Sequence, residues 1–410
     1  MNRRSFLERS FLGTLAAASA ARAMADALPP VRAITEGPRF HWFGYYDKLQ
    51  FDPTSRFALG ASNDFQHRLV TAGDTMTLGM VDLEDGDKWI ELGSTNAWSW
   101  HQTCMLQWLP GSRDEVIWND RQGSRFVSHI LNVRTREKRT LPRAIYCVSP
   151  DARWALCNDF ARSASMRPET GYMGGTDPYA AELAPAKSGI WRMDLKTGGQ
   201  ELILSLADLV KIPLTQGDWS GMKQYIDHIL IAPDGKRFSF LQRWGQGIGT
   251  GFFTRMCTAD AHGKALRVID ESGQASHYNW RDPETLMLWT NHPSHGTIWY
   301  LIHEPTVKFE VLDAERMNQN GHNSFFRGGR WIASDTAPDK ERKQHEYLYD
   351  TKTRRKIELG AFYSAPEYKG IWRCDTTPRV SPDARKLIFD SPHDGVGRQM
   401  YLIDISEIVG

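Results

Sequence analysis

Histidines recur at one phase of this sequence. A turn motif built on Pro, Asp or Gly appears seven times, and five or six residues upstream of it stand Asp47, Tyr146, His228 and His277. His322 occupies the matching place before Gly328, His101 lies slightly further upstream of its motif, and Trp372-Arg373 precede the last copy. A lone histidine is more often structural, but chance placement of 13 histidines would seldom put four in phase. Imidazoles act as bases or metal ligands near neutral pH. His228, His277 and His322 are therefore read as a converging set that binds a divalent metal or substrate oxygens. Zinc or manganese would suit imidazole ligands, whereas calcium would need more oxygens.

A second polar series ends the strand after each turn. It comprises Asn63-Asp64, Asn119-Asp120-Arg121, Asn158-Asp159, Arg243-Trp244, Asn291-His292, Asp335-Thr336 and Asp390-Ser391-Pro392-His393. Asn, Asp and Ser-Pro turn the chain anyway, which accounts for Asn63 and Asn158. Arg121, Arg243 and His292 are less well explained that way. Arginine can clamp a carboxylate with two parallel hydrogen bonds. A surface rich in His, Arg, Asn and Tyr suits an anionic sugar, and 15 tryptophans and 13 tyrosines supply flat rings for stacking. No distinctive pair of acidic residues marks the surface for hydrolysis.

The elements that would position these residues follow from the repeats. The motif copies are Asp52-Pro53, Pro110-Gly111, Pro150-Asp151, Pro233-Asp234, Asp282-Pro283, Gly328-Gly329 and Pro382-Asp383. Pro fixes φ and Asp or Gly reverses the chain, so the flanking apolar runs form hairpins. A second signature, an apolar strand ending in Asp before a polar turn, recurs at Asp82, Asp194, Asp350 and Asp404. Four short strands per repeat are one propeller blade. The reading is all-β: a seven-bladed β-propeller with four-stranded antiparallel blades, one domain over 26–410. The last motif lies close to the C-terminus, so the N-terminal segment is expected to complete the ring. The spacing between Asp151 and Asp234, 83 residues, is the longest, and it holds a Gly/Pro/Ser/Ala-rich stretch read as a long loop over 160–187. Long loops on such scaffolds often carry function.

The N-terminus reads as a signal peptide over 1–25. Arg3-Arg4 precede a short apolar run from Phe11 to Ala21 and a small-x-small site at Ala23-Met24-Ala25. The paired arginines suggest a twin-arginine type, and hence a periplasmic or secreted protein. No later run is long and apolar enough for stable membrane insertion. A net charge of +1 without a basic tract argues against nucleic acid as partner. The five cysteines are too few for a disulfide scaffold; Cys147 and Cys157 flank one hairpin and could lie across from each other.

Three stretches carry a resemblance. They are His41-Trp42-Phe43-Gly44-Tyr45-Tyr46-Asp47-Lys48, Gly321-His322-Asn323-Ser324-Phe325 with Trp331-Ile332-Ala333-Ser334-Asp335-Thr336, and Ser381-Pro382-Asp383 with Phe389-Asp390-Ser391. The chain resembles the β-propeller polysaccharide lyases, a group that includes oligogalacturonate lyase and the ulvan lyases. That resemblance implies β-elimination on a uronic-acid polymer. A metal or arginine would neutralise the carboxylate, and His or Tyr would take the C5 proton. In oligogalacturonate lyase several histidines and a glutamine hold the metal; the His228, His277 and His322 set resembles this loosely and lacks a close HxH pair. The chemistry assigns roles here: His101 as base or acid, Arg121 and Arg243 as carboxylate clamps, and Tyr172 or Tyr225 as proton donor to the leaving oxygen. The partner would be an anionic poly- or oligosaccharide. The rival class is a non-catalytic periplasmic propeller that binds carbohydrate or protein. A second rival is a lyase acting on the end of a glucuronate-bearing side chain, with the long loop closing one end of the cleft.

Overall fold

The computed structural model describes residues 28–215 and 217–410, so the signal-peptide expectation lies outside the described residues. Seven four-stranded antiparallel sheets are present, as the repeats predict. Their first strands are Phe40–Trp42, Gln107–Trp108, Cys147–Val148, Lys223–Ile231, Tyr278–Asp282, Asn323–Phe326 and Arg379–Val380. These strands face the axis, because side chains from blade 1 cross it: Tyr46 Oη donates to Tyr278 O (2.8 Å) and Ser324 Oγ donates to Tyr46 O (3.2 Å). Helix is confined to short turns such as Phe160–Ala164.

The turn motifs do the work their residue types imply. Asp52 accepts from the backbone N–H groups of Thr54, Arg56 and Phe57 at 2.9, 2.9 and 2.7 Å. Ser55, Ala152 and Ala384 take left-handed φ values of 62°, 54° and 57° to finish the reversal. Apolar residues of the following strands, such as Ala155, Leu156, Ile332 and Leu387, are fully buried between blades. Burying one such side chain contributes about 1.5–3 kcal/mol.

The ring closes as expected. Three strands of blade 7 come from the C-terminal segment, and its outermost strand is Val31–Ala33, paired with Ala33 opposite Tyr401 and Val31 opposite Ile403. Ile34 is buried, its N–H donates to Met400 O at 2.9 Å, and Thr35 Oγ1 donates to Gln399 Oε1 at 2.7 Å. A chain starting at Glu36 would expose the edge of Gln399–Asp404 and lose Ile34. It is expected to unfold at a clearly lower urea midpoint, by about 3 kcal/mol from the lost burial and bonding. An unchanged midpoint would show that the closure carries no stability.

The cysteine pairing is corrected. Cys147 stands opposite Leu156 in the sheet, so Cys157 is one residue out of register and points to the other face. All five cysteines are free and buried.

Candidate active site at the channel mouth

The channel is crossed by the segment Phe43–Lys48. Gly44 turns it inward at φ +112°, and a Cβ there would lie 3.0 Å from Thr103. Phe43 and Gly44 donate backbone N–H bonds to Asp390, while Thr103 and Thr377 hydroxyls donate to Phe43 O (2.9 Å) and Gly44 O (2.8 Å). Thr103 and Thr377 both have φ near 46°, rare for β-branched residues and held only where neighbours over-determine it. Tyr45 and Tyr46 thus form a floor, and the starts of the inner strands surround it.

On this floor the predicted histidines converge. His228 lies 5.0 Å from Tyr45 and 5.7 Å from Tyr46, ring centre to ring centre. His322 lies 5.2 Å from Tyr46 and 4.2 Å from His277. The pKa values of the last two imidazoles are shifted in opposite directions. His322 Nδ1 is 3.0 Å from Asp335 Oδ2, and its backbone N–H also donates to Asp335. Gly321 permits this approach: a Cβ there would sit 2.0 Å from Asp335 O. Burial opposes charge on His322, but Asp335, aided by Asp375, outweighs it and raises the pKa. His277 is held well below the ordinary range, by burial first and then by His322. Its Nδ1 lies 3.0 Å from Asn320 Oδ1, which can only accept, so Nδ1 carries the proton and Nε2 the lone pair.

Arginines and carboxylates complete the rim. Arg243 and Arg167 both donate to Asp227 Oδ2, at 2.6 and 2.9 Å, and both guanidinium groups lie under the half-exposed Phe252 ring at 4.6 and 4.8 Å. Tyr146 Oη donates to Asp227 Oδ1 (3.3 Å) and accepts from Gln102 Nε2 (2.9 Å). Arg373 Nε donates to Asp375 at 2.9 Å. Asp47 lies 2.9 Å from Lys48 Nζ and 3.5 Å from His228 Nε2; burial pushes its carboxyl up, but Lys48 and His228 prevail and hold it at about 2. Four carboxylates, Asp47, Asp227, Asp335 and Asp375, gather here, each beside a basic side chain.

The other expected residues divide. His101 is buried beside Arg373 and Asp375, its Nε2 has no partner among the described residues, and burial followed by Arg373 holds its pKa well below the usual value. Tyr225 stands opposite Arg243 in the sheet, with its buried hydroxyl unpartnered. Tyr172 is placed elsewhere: its ring stacks 4.1 Å from Phe160 in the core and its hydroxyl accepts from Asn119 Nδ2. Arg121 is also elsewhere, donating to Gly123 O and to Ala72 O of the neighbouring blade 1. His292 stacks on Phe309. Arg167, Asp227 and Asp375 were missed; Arg167 sits on the long loop, where no repeat phase could mark it.

Among the described residues no three His, Cys, Asp or Glu side chains stand together at metal-ligand geometry. His322 Nε2 is 4.0 Å from Asp375 Oδ2, and His228 Nε2 is 3.5 Å from Asp47 Oδ2. The described residues do not present a formed metal site.

No family model and no curated protein matches the sequence. Solved structures do match. An oligogalacturonate lyase in complex with manganese superposes with a TM-score of 0.66 at 15% identity, over 94% of this chain and 95% of that one. The oligogalacturonate lyase of Vibrio parahaemolyticus gives 0.65 at 14%, over 93% and 95%. The β-propeller domain of the trilobed protease from Pyrococcus furiosus gives 0.50 at 9%, over 88% and 96%. At such identities the likeness establishes the fold, a β-propeller similar to that of oligogalacturonate lyases, and leaves the chemistry to be argued from the mouth.

Proposed function

We propose that the protein is an exported polysaccharide lyase that cleaves a uronic-acid-containing glycan by β-elimination. The observation that carries this reading is the contact between His277, whose pKa burial lowers, and His322, whose pKa Asp335 raises, beside a rim of arginines. Two titratable groups driven apart in this way are the mark of a base and an acid working together.

The reaction needs three things of the site. The uronate carboxylate must be offset as charge builds on it, the C5 proton must be taken, and the oxygen leaving C4 must be protonated. Arg243 and Arg167 sit side by side on Asp227, and Arg243 Nε is buried with no acceptor among the described residues, leaving a donor for the carboxylate. His277 Nε2 takes the C5 proton. The electron pair forms the C4–C5 double bond, the C4–O4 bond breaks, and His322 or the Tyr225 hydroxyl gives a proton to the leaving oxygen. His277 is favoured over His101 as base because it is only half-buried and lies against His322, 4.2 Å ring to ring.

The test is a screen of galacturonate, glucuronate and iduronate polymers, read as absorbance of the new double bond. His277→Ala should lower kcat about 10²–10⁴-fold with little change in KM, the signature of a lost proton-transfer group. His101→Ala should cost less. Arg243→Ala should weaken both parameters, and less so on a carboxyl-reduced substrate. Absence of absorbance on every polymer would move the assignment to a non-catalytic binding propeller.

A further inference from the structure

A second cavity, of about 430 Å³, lies between blades 2 and 3, away from the floor of Tyr45 and Tyr46. Three features distinguish it from a packing defect. First, Asn158 is buried and lines it, yet Asn158 Oδ1 has no partner among the described residues; neither has the buried Trp191 Nε1, also on the wall. An acceptor and a donor left without partners on residues of one wall match a hydroxylated ligand, since leaving such groups unbonded costs about 1–3 kcal/mol each. Second, Arg143 lies flat on the Trp191 ring at 4.0 Å and is fixed by Gln200 (2.8 Å) and Asp159 (3.4 Å), so its remaining N–H donors are held in place. Third, the charge balance is basic. Asp159 is spent on Arg143 and Ser188, and Asp177 on Arg162 and the Tyr179 N–H, whereas Arg125 and Lys187 on the wall form no ion pair among the described residues.

We propose that this cavity is a second saccharide-binding site, taking an acidic sugar unit whose hydroxyls meet Asn158 and Trp191 and whose carboxylate or sulfate meets Arg143, Arg125 and Lys187. In its choice of ligand class the inference rests on the uronate reading of the mouth. Loop 160–187 supplies both sites: Arg167 at the mouth, and Thr176 to Tyr179 with Lys187 here. Phe160 lines the cavity and stacks 6.0 Å from Tyr146, which bonds Asp227, so one aromatic layer separates the two. The ligand here is either a distal unit of the glycan seated in the mouth or a separate chain.

Calorimetric titration of the full protein with reduced-end di- and hexasaccharides of galacturonate, glucuronate and sulfated glucuronate tests the site. A disaccharide of one of these classes should bind at two sites per chain. Arg125→Glu with Lys187→Glu, two exposed changes that leave the core intact, should weaken one site about tenfold or more. Trp191→Phe, which removes the N–H donor together with part of the ring under Arg143, should weaken the same site, and His322→Ala with Arg243→Ala should remove the other. One hexasaccharide per chain, bound more tightly than either disaccharide, would show a single glycan spanning both sites; two would show separate chains. A stoichiometry of one that survives the Arg125 and Lys187 changes, or no binding of any of the probes, overturns the proposal. Loss of lyase absorbance with the cavity still binding would instead overturn the reading of the mouth.

Discussion

Asp335→Asn is expected to reduce turnover about 10²–10⁴-fold, the range for loss of a general acid, and to move the alkaline limb of the pH–rate profile to lower pH. Asp335 is almost fully buried and accepts from four groups: the His322 backbone N–H, His322 Nδ1, Thr376 Oγ1 (2.8 Å) and the Thr377 N–H (2.8 Å). An asparagine has one acceptor oxygen for these donors and no charge to hold the imidazolium. In the native protein His322 is charged below its raised pKa, so activity that needs its proton falls as pH rises through that value. The amide removes the main cause of the raised pKa, and the fall should begin at a lower pH. Stability should follow the same sign. A raised pKa contributes stability that is fully present below the unfolded value of about 6.5 and lost as pH climbs past the folded one. The variant's deficit should therefore be larger in mild acid than in mild alkali. A profile with an unmoved alkaline limb would remove His322 from the acid role. Thr377, whose φ of 46° is locked partly by Asp335, offers a control: Thr377→Gly relieves the strain without touching the imidazole and should leave the limb in place.

The fold was legible because its information is local and repeated. Asp52, Pro150 and Pro382 each reverse the chain through bonds within a few residues, and the repeat then counts the blades. The first polar series was legible for the same reason: a fixed position at the start of each inner strand brings His228, His277 and His322 to one axis whatever the loops do. The second series was only partly informative. Arg243, Asp335 and Asp390 reach the mouth, but Arg121 turns to blade 1 and donates to Ala72 O, because strand residues alternate between the two faces of a blade and one position along the strand decides which neighbour is met. Tyr172 follows the same lesson on the long loop, where its ring is drawn under Phe126 and Phe160. Residues that reach the site from outside the repeat, Arg167 above all, had no phase by which to be found. Asp227 and Asp375 escaped notice because neither falls at the phase of the two polar series, and the pairing of Asp227 with Arg167 joins distant positions.

Arg162→Ala should be the most destabilising single change in the loop. Arg162 is one of the largest fully buried side chains, and its guanidinium donates to Gln224 O, Tyr179 O (3.2 Å), Glu182 O (2.8 Å), Leu183 O (2.7 Å) and Asp177 Oδ2 (3.1 Å). Removing it takes away five hydrogen bonds at once, although Asp177 keeps the Tyr179 N–H and Lys223, and Leu183 O keeps the Gln224 N–H; the cost is about 3–5 kcal/mol. Lysine, with a point charge and three donors, cannot span these acceptors, so Arg162→Lys should recover little. The consequence for function follows from connectivity. Arg162 pins the segment that begins with helix Phe160–Ala164 and carries Arg167 to Asp227. With the pin gone, Arg167 should leave the mouth, and kcat/KM on a uronate polymer should fall even at temperatures where the propeller remains folded. Hydrogen exchange separates the two effects. Amides of 160–187 should lose protection while those of the inner strand Lys223–Ile231 keep it, apart from Gln224, whose N–H donates to Leu183 O. Uniform loss of protection would mean that the loop is part of the cooperative core rather than a separately pinned segment, and unchanged protection would show that the five bonds of Arg162 hold nothing in place.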